Sequence, residues 1–120
     1  MYIYSMKPNQ QLFKGSLTTI LLKLLNEEDK MYGYEITKKV KEQSQGSLVI
    51  TEGALYPALH KMEAEGMVKV TIELVGNRPR KYYSLTSNGK KEVANKLQEL
   101  NDFIRQMQAL LQLKPEIPLS

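Results

Sequence analysis

His60 is the only histidine in the chain, with Glu63 one helical turn after it and Glu52 two turns before it. That stretch is the one place where acid–base chemistry or a metal ion would find several suitable groups together. A zinc site takes three or four ligands, often Cys or His, and the chain contains no cysteine. There is no Ser–His–acid set, no Gly-rich phosphate loop of the GxxxxGKS kind and no paired carboxylates in a recognisable frame. An exposed histidine on a helix accounts for His60 more simply than a metal or catalytic centre. The expectation is therefore no catalytic residue, no metal, no cofactor and no enzyme activity.

The chemistry that the sequence does concentrate is cationic. The net charge is +4, and its location says more than its size. Residues 1–68 carry eight lysines and eight acids, so they are neutral. Residues 69–85 carry Lys69, Arg78, Arg80 and Lys81 against Glu73 alone, a net +3. Residues 86–120 add a net +1 from five bases and four acids. Such a concentration attracts a polyanion, because counterions displaced from phosphates gain entropy. Charge alone favours the plainer alternative, a solvated basic loop.

These groups need elements to position them. Residues 1–10, with Pro8, read as a short extended arm. Leu17, Ile20, Leu21, Leu24 and Leu25 form one helical stripe, and the polar run 26–29 ends it. A second helix is predicted over 33–45, with Ile36 and Val40 one turn apart and Gly46-Ser47 as its stop. Thr51 is a candidate cap for a third helix, and Gly66 suits a left-handed C-terminal cap. The period then changes to two. Val68, Val70, Ile72 and Leu74 alternate with Lys69, Thr71 and Glu73, as in a half-buried strand. Gly76-Asn77-Arg78-Pro79 predicts a turn, and residues 80–85 the returning strand, with Tyr83 and Leu85 on one face. Thr86 is a candidate cap for a last helix reaching about residue 113, stopped by Pro115 and Pro118.

The predicted order is helix, helix, helix, hairpin, helix, which is that of a winged helix-turn-helix. On the third helix, Leu55, Leu59, Met62 and Gly66 project to the core side. Gly53, Pro57, His60, Lys61 and Ala64 project outward, with Tyr56 at the border. This outer face is small and flat, a surface able to press against a groove. A plain exposed helix poor in charge is the alternative. Pro57 removes one helical N–H bond and frees the Gly53 carbonyl, which predicts a strained or loosened first turn. Arg78, Arg80 and Lys81 stand at the hairpin tip and second strand, in a turn stiffened by Pro79. Cations so placed suit phosphates or a minor groove.

The segments Tyr32-Gly-Tyr-Glu-Ile36, Glu52-Gly-Ala-Leu-Tyr-Pro-Ala-Leu59, Met62-Glu-Ala-Glu-Gly-Met67 and Arg78-Pro-Arg-Lys-Tyr-Tyr-Ser-Leu-Thr86, followed by Gly89, resemble the PadR family of bacterial transcriptional regulators. With the first helix they cover roughly residues 12–95, in the family's order and spacing. The resemblance implies a winged-helix dimer that binds operator DNA, usually as a repressor. It implies that Tyr56 and Lys61 contact the DNA backbone and major groove, that Arg80 and Lys81 contact DNA from the wing, and that Tyr83 and Leu85 are core. The single terminal helix resembles the family's short branch. Some short members bind flat aromatic drugs between tryptophans at the dimer interface. This chain has no tryptophan, so that mode is not carried over.

Val93, Leu97, Leu100, Ile104, Met107 and Leu111 follow alternating spacings of four and three, a heptad seam. A helix of about 27 residues spans roughly 40 Å, more than so small a domain covers by itself. A second copy is the expected partner, and packing wholly against the first helix is the alternative. Phe103 and Gln106 flank the seam, and Phe13 begins the first helix. Phe13, Phe103 and Met107 are candidates to line a pocket for a small apolar effector, although a filled interface core accounts for them equally.

The chain has 120 residues, 42% of them hydrophobic, which suits one domain with one modest core. It has no internal repeat, no apolar run near the roughly 20 residues of a membrane span and no secretory signal pattern at its start. The expected architecture is mainly α with a small β-hairpin: an arm (1–10), a winged helix-turn-helix (11–85), a dimerisation helix (86–113) and a tail (114–120). The expected protein is cytoplasmic and binds double-stranded DNA as a homodimer, with no membrane partner. The competing readings are a winged-helix module that holds a protein partner instead of DNA, and another winged-helix regulator family such as a MarR-like one. The compact size and the Leu55-Tyr-Pro57 segment argue against the latter.

Overall fold

The computed structural model describes residues 8–114. The elements are α1 (Pro8–Gly15), α2 (Leu17–Glu27), β1 (Met31–Tyr32), α3 (Gly33–Gln43), α4 (Glu52–Ala64), β2 (Val68–Val75), β3 (Arg78–Leu85) and α5 (Ser87–Leu111). Residues 8–10 of the predicted arm are helical. Pro8 opens a helix, where its missing N–H and fixed φ are tolerated, and residues 1–7 lie outside the described residues, as does the predicted tail from 115 onward. A break at Ser16 separates α1 from α2. The Ser16 N–H donates to the Phe13 carbonyl at 2.9 Å, and the Ser16 carbonyl accepts from Ile20 at 3.1 Å. The next two helices end at Gln43 and Ala64, each two residues or so before the predicted stop.

The central helix is α2. Leu17, Leu21, Leu22, Leu24 and Leu25 are all buried, so the stripe read from spacing widens to take in Leu22. The same core takes in Ile36 and Val40 of α3, Leu55, Leu59 and Met62 of α4, Met31, Val68, Tyr83 and Leu85 of the sheet, and Val93 of α5. Burying one such Leu or Ile contributes roughly 1.5–3 kcal/mol. No buried side-chain polar atom among the described residues lacks a hydrogen-bond partner.

The sheet is antiparallel, in the order β1-β3-β2. Met31 faces Tyr83 and Tyr32 faces Tyr82. On the other side Val68 pairs with Leu85 and the ladder runs out to Val75 and Arg78. The hairpin turn is therefore only two residues, Gly76 and Asn77, both at positive φ (54° and 67°). That is the primed turn whose twist matches the strands. Pro79 does not stiffen the turn as predicted; it lies within β3 opposite Leu74. Ladder pairs alternate between bonded and non-bonded, and counting from the turn Leu74 and Pro79 form a non-bonded pair. Pro79 thus deprives β2 of no donor, and β1 does not reach that far.

Two caps lock α5 to the domain. The Thr86 hydroxyl accepts from the Gly89 N–H at 3.0 Å and donates to the Gly66 carbonyl. The Thr86 N–H bonds the Met67 carbonyl at 3.0 Å. Gly89 makes this possible, since a Cβ there would stand 2.1 Å from the Met67 carbonyl oxygen. Gly66 caps α4 at φ 78°, with Met67 N–H returning to Met62 at 2.9 Å. The 25 residues of α5 extend roughly 37 Å. No helix among the described residues is long and apolar enough to cross a membrane.

Candidate nucleic-acid interface

The third helix of the predicted core is α4, and its inner side is as expected: Leu55, Leu59 and Met62 are buried. Gly53, Pro57, His60, Lys61 and Ala64 are exposed on the other side, joined by Glu52 and Glu63. The Thr51 hydroxyl accepts from the Ala54 N–H at 3.2 Å, and the Thr51 carbonyl accepts from Leu55 at 2.9 Å. The first turn is closed, not loosened as Pro57 suggested, and the helix runs through Pro57 without interruption. Gly53 and Pro57 share the exposed face, so the carbonyl that loses its partner is left to solvent.

Tyr56 is less available than its border position implied. Its ring packs against the core and over the first residue of α3. A Cβ on Gly33 would lie 2.3 Å from the Tyr56 hydroxyl oxygen and 3.0 Å from Cζ. Tyr56 therefore sets the spacing between α3 and α4, with one edge of its half-buried ring still reachable from outside. Gly33, Tyr34, Thr37, Glu52, Leu55 and Tyr56 shape a notch of about 190 Å³ there.

In the wing the register sorts side chains onto two faces. Ile72, Leu74, Pro79 and Lys81 share the face that continues from the core. Glu73, Val75, Arg78, Arg80, Tyr82 and Tyr32 share the other. Arg80 and Lys81, neighbours in the basic segment, thus point in opposite directions. The alternation in β2 predicted a half-buried strand, and only its first half is covered. Ile72 is 64% exposed and Leu74 74%, because the hairpin projects beyond the helices. Arg78 and Lys81 are exposed. Among the described residues neither they nor Lys61 join an ion pair.

Arg80 is half-buried, its guanidinium carbon 4.1 Å from the centre of the Tyr32 ring. Tyr32 meets Tyr82 edge-on, with ring centres 5.6 Å apart. The Lys30 ammonium stands 4.8 Å from the centre of the Tyr82 ring and pairs with Glu73. The hydrogen bond from Lys30 to Glu73 raises the Lys30 pKa above its ordinary value. Spacing could not have found this cluster: it joins residues 30, 32, 73, 80 and 82 through the register of three strands.

On α5, Val93 is buried in the chain's own core, so it leaves the predicted interface seam. It sits where α5 crosses the body of the domain. The others are less covered. Leu100 and Met107 are half-buried, while Leu97, Ile104 and Leu111 are exposed. Phe103 is 56% exposed. Phe13 lines a cleft of about 200 Å³ with Lys14, Leu17, Val49, Ile50, Thr51, Gly53 and Ala54. Neither Phe103 nor Met107 contributes to that cleft. Among the described residues no group of three or more His, Cys, Asp or Glu is arranged to hold a metal.

Comparison with known proteins agrees with this arrangement. The profile of the transcriptional regulator PadR-like family matches residues 21–95. A transcriptional regulator of Mycobacterium tuberculosis is 26% identical over 80 residues, 67% of this chain and 72% of that protein. Among solved structures, a transcriptional regulator from Clostridium thermocellum is 28% identical with a TM-score of 0.76, covering 88% of this chain and 97% of that one. A PadR family transcription regulator from Clostridium difficile is 32% identical with a TM-score of 0.67, covering 82% and 99%.

Proposed function

The chain belongs to the PadR-like family of transcriptional regulators, a DNA-binding regulator by that membership, and from that premise we propose that it works in the cytoplasm as a homodimeric repressor of its target promoter. The observation that carries the reading is the surface made by α4 and the wing. A small-faced helix with Lys61 and His60 outward stands in the same domain as a projecting hairpin whose Arg78 and Lys81 have no ion-pair partner among the described residues. The helix enters the major groove and the wing holds the adjacent backbone.

The α5 seam supplies the second subunit. Leu97, Ile104 and Leu111 lie exposed on one stripe of a helix whose first turns are locked to the domain. A long exposed apolar stripe marks an interface. Pairing α5 with a second copy fixes the distance between two recognition helices, which then meet half-sites about one or more helical turns apart. A pocket containing Phe13, Phe103 and Met107 together requires the partner's α5, since the cleft around Phe13 within one chain lacks the other two. A flat apolar compound seated there would change the helix spacing and release the operator.

Selection of bound fragments from the host genome, followed by footprinting, tests the reading. The expected result is a pair of symmetric protected half-sites overlapping a promoter, with transcription rising when the protein is removed. A footprint of a single asymmetric site argues against the dimer, and transcription that falls on removal argues against repression.

A further inference from the structure

We propose that Tyr32 is a positioning residue for a DNA-backbone contact, holding the Arg80 guanidinium flat so that its N–H edge binds one phosphodiester. This rests on the DNA-binding reading above and adds a residue and a geometry to it. The wing strands place Glu73 directly across from Arg80, the position from which a carboxylate would ordinarily claim the guanidinium. Glu73 is instead engaged by Lys30, and among the described residues Arg80 joins no ion pair. Its partner is the face of Tyr32, 4.1 Å away. Stacking uses the face of a guanidinium and leaves its in-plane donors unspent. Two parallel N–H groups on that edge match the two free oxygens of a phosphodiester.

The platform is itself held at several points. Tyr32 is paired to Tyr82 in the sheet, and the Tyr82 ring braces it edge-on. The Tyr32 N–H donates to the Glu35 carboxylate at 3.1 Å, at the start of α3. The Lys30–Glu73 pair and the Lys30–Tyr82 contact close the far side. Arg80 thus loses its rotamer freedom before DNA arrives, so less is lost on binding. The same ring joins the wing to α3, so the guanidinium is held in register with the helix-turn-helix.

The test is a double-mutant cycle, read as affinity for a duplex at fixed salt, with thermal melts confirming that each variant is folded. Arg80→Ala is expected to weaken binding about tenfold or more, the scale of a hydrogen bond to a charged group. Tyr32→Ala is expected to weaken it roughly three- to fivefold, the scale of a cation–π interaction. Tyr32→Phe keeps the ring and stays within about twofold of wild type. In the Arg80→Ala background, Tyr32→Ala has no further effect. Arg80→Lys keeps the charge but loses the planar edge, and is expected to fall well below wild type. If Tyr32→Ala weakens binding by the same factor with or without Arg80, or if Arg80→Lys binds as wild type does, the proposal is overturned. Wild-type protein that binds no duplex even at low salt overturns the functional reading itself, and that result is separate from any of the variants.

Discussion

The Tyr56 hydroxyl occupies the space that a Cβ on residue 33 would need, 2.3 Å from where that atom would stand. Gly33 is buried at the first position of α3, and Tyr56 lies one turn into α4. The contact fixes how closely the two helices of the helix-turn-helix approach at the ends that face outward. Tyr56 therefore seats α4 against α3, and on the proposed reading that seating, more than its exposed edge, is its expected contribution to DNA binding.

Gly33→Ala tests that relationship. Alanine in a helix is ordinarily preferred over glycine by roughly 1 kcal/mol. Here the added methyl displaces the Tyr56 ring, and overpacking of this kind destabilises by about 1–3 kcal/mol. The expected result is a net loss of stability in denaturant melts. In a Tyr56→Ala background the clash disappears, and Gly33→Ala is expected to become neutral or stabilising. Equal destabilisation in both backgrounds would show that the ring is not what excludes a side chain at 33.

Much of this domain was legible because burial leaves a period. Leu17 to Leu25, Leu55 to Met62, and the change to alternation at Val68 each mark a face that must meet a core. What escaped had no period to show. The strand Met31–Tyr32 is two residues long, too short to alternate, and only its pairing with Tyr82 and Tyr83 reveals it. Alternation in β2 reports which side chains share a face, not whether anything covers that face, so Ile72 and Leu74 read as half-buried and stand exposed. Val93 fits a heptad as well as Leu97 does, but position along α5, not spacing, decides that the domain core takes it. The Tyr32–Arg80 stack joins residues far apart in sequence, and only strand register brings them together.

Burial pushes the Tyr83 pKa above its ordinary value, with the nearby Tyr56 and Glu63 adding to the shift. The sign follows from linkage. A tyrosine whose folded pKa is raised is neutral in both states below about pH 10, and its full contribution is present there. As pH climbs past that value, the unfolded chain ionises first, so stability is lost until the folded pKa is passed. Tyr83→Phe keeps the ring and removes the ionisation. Thermal melts of the two proteins compared from about pH 8 to 11 are expected to show wild type losing stability relative to the variant only above about pH 10. Parallel curves throughout would mean that the Tyr83 hydroxyl ionises as readily in the fold as out of it.

The seam on α5 makes its own prediction. Ile104 and Leu111 are exposed in the single chain, so aspartate at both leaves the domain core untouched. At an interface the same change buries charge without a partner, which is strongly unfavourable. Sedimentation is expected to give a folded monomer for Ile104→Asp/Leu111→Asp and a dimer for wild type. Operator affinity should fall by orders of magnitude, since two linked half-sites become two independent ones. A double variant that still sediments as a dimer would assign the interface to another surface.

The opposed faces of the wing decide how the hairpin sits on DNA. Arg78 is on one face and Lys81 on the other, and among the described residues both are without ion-pair partners. A hairpin lying flat along one strand brings only one of them to phosphates. A hairpin entering a groove tip-first brings each to a different strand. Removing a cation that neutralises one phosphate lowers the log–log dependence of affinity on salt by about one. For tip-first entry, Arg78→Ala and Lys81→Ala each lower the slope by about one and the double variant by about two, for operator and random duplex alike. For a flat wing, one of the single variants leaves the slope at its wild-type value. Lys61→Ala serves as the contrast, because on the proposed reading α4 is the element that enters the major groove and meets base edges as well as backbone. It is expected to weaken the operator by a larger factor than random duplex, on the scale of about 1–3 kcal/mol for one base-edge interaction. Tip-first entry is the expected outcome, because Ile72 and Leu74 then lie against the apolar sugar walls of the groove instead of facing water. Two single variants with unchanged slopes and unchanged affinity would show that the hairpin cations stay in solvent when the helix binds.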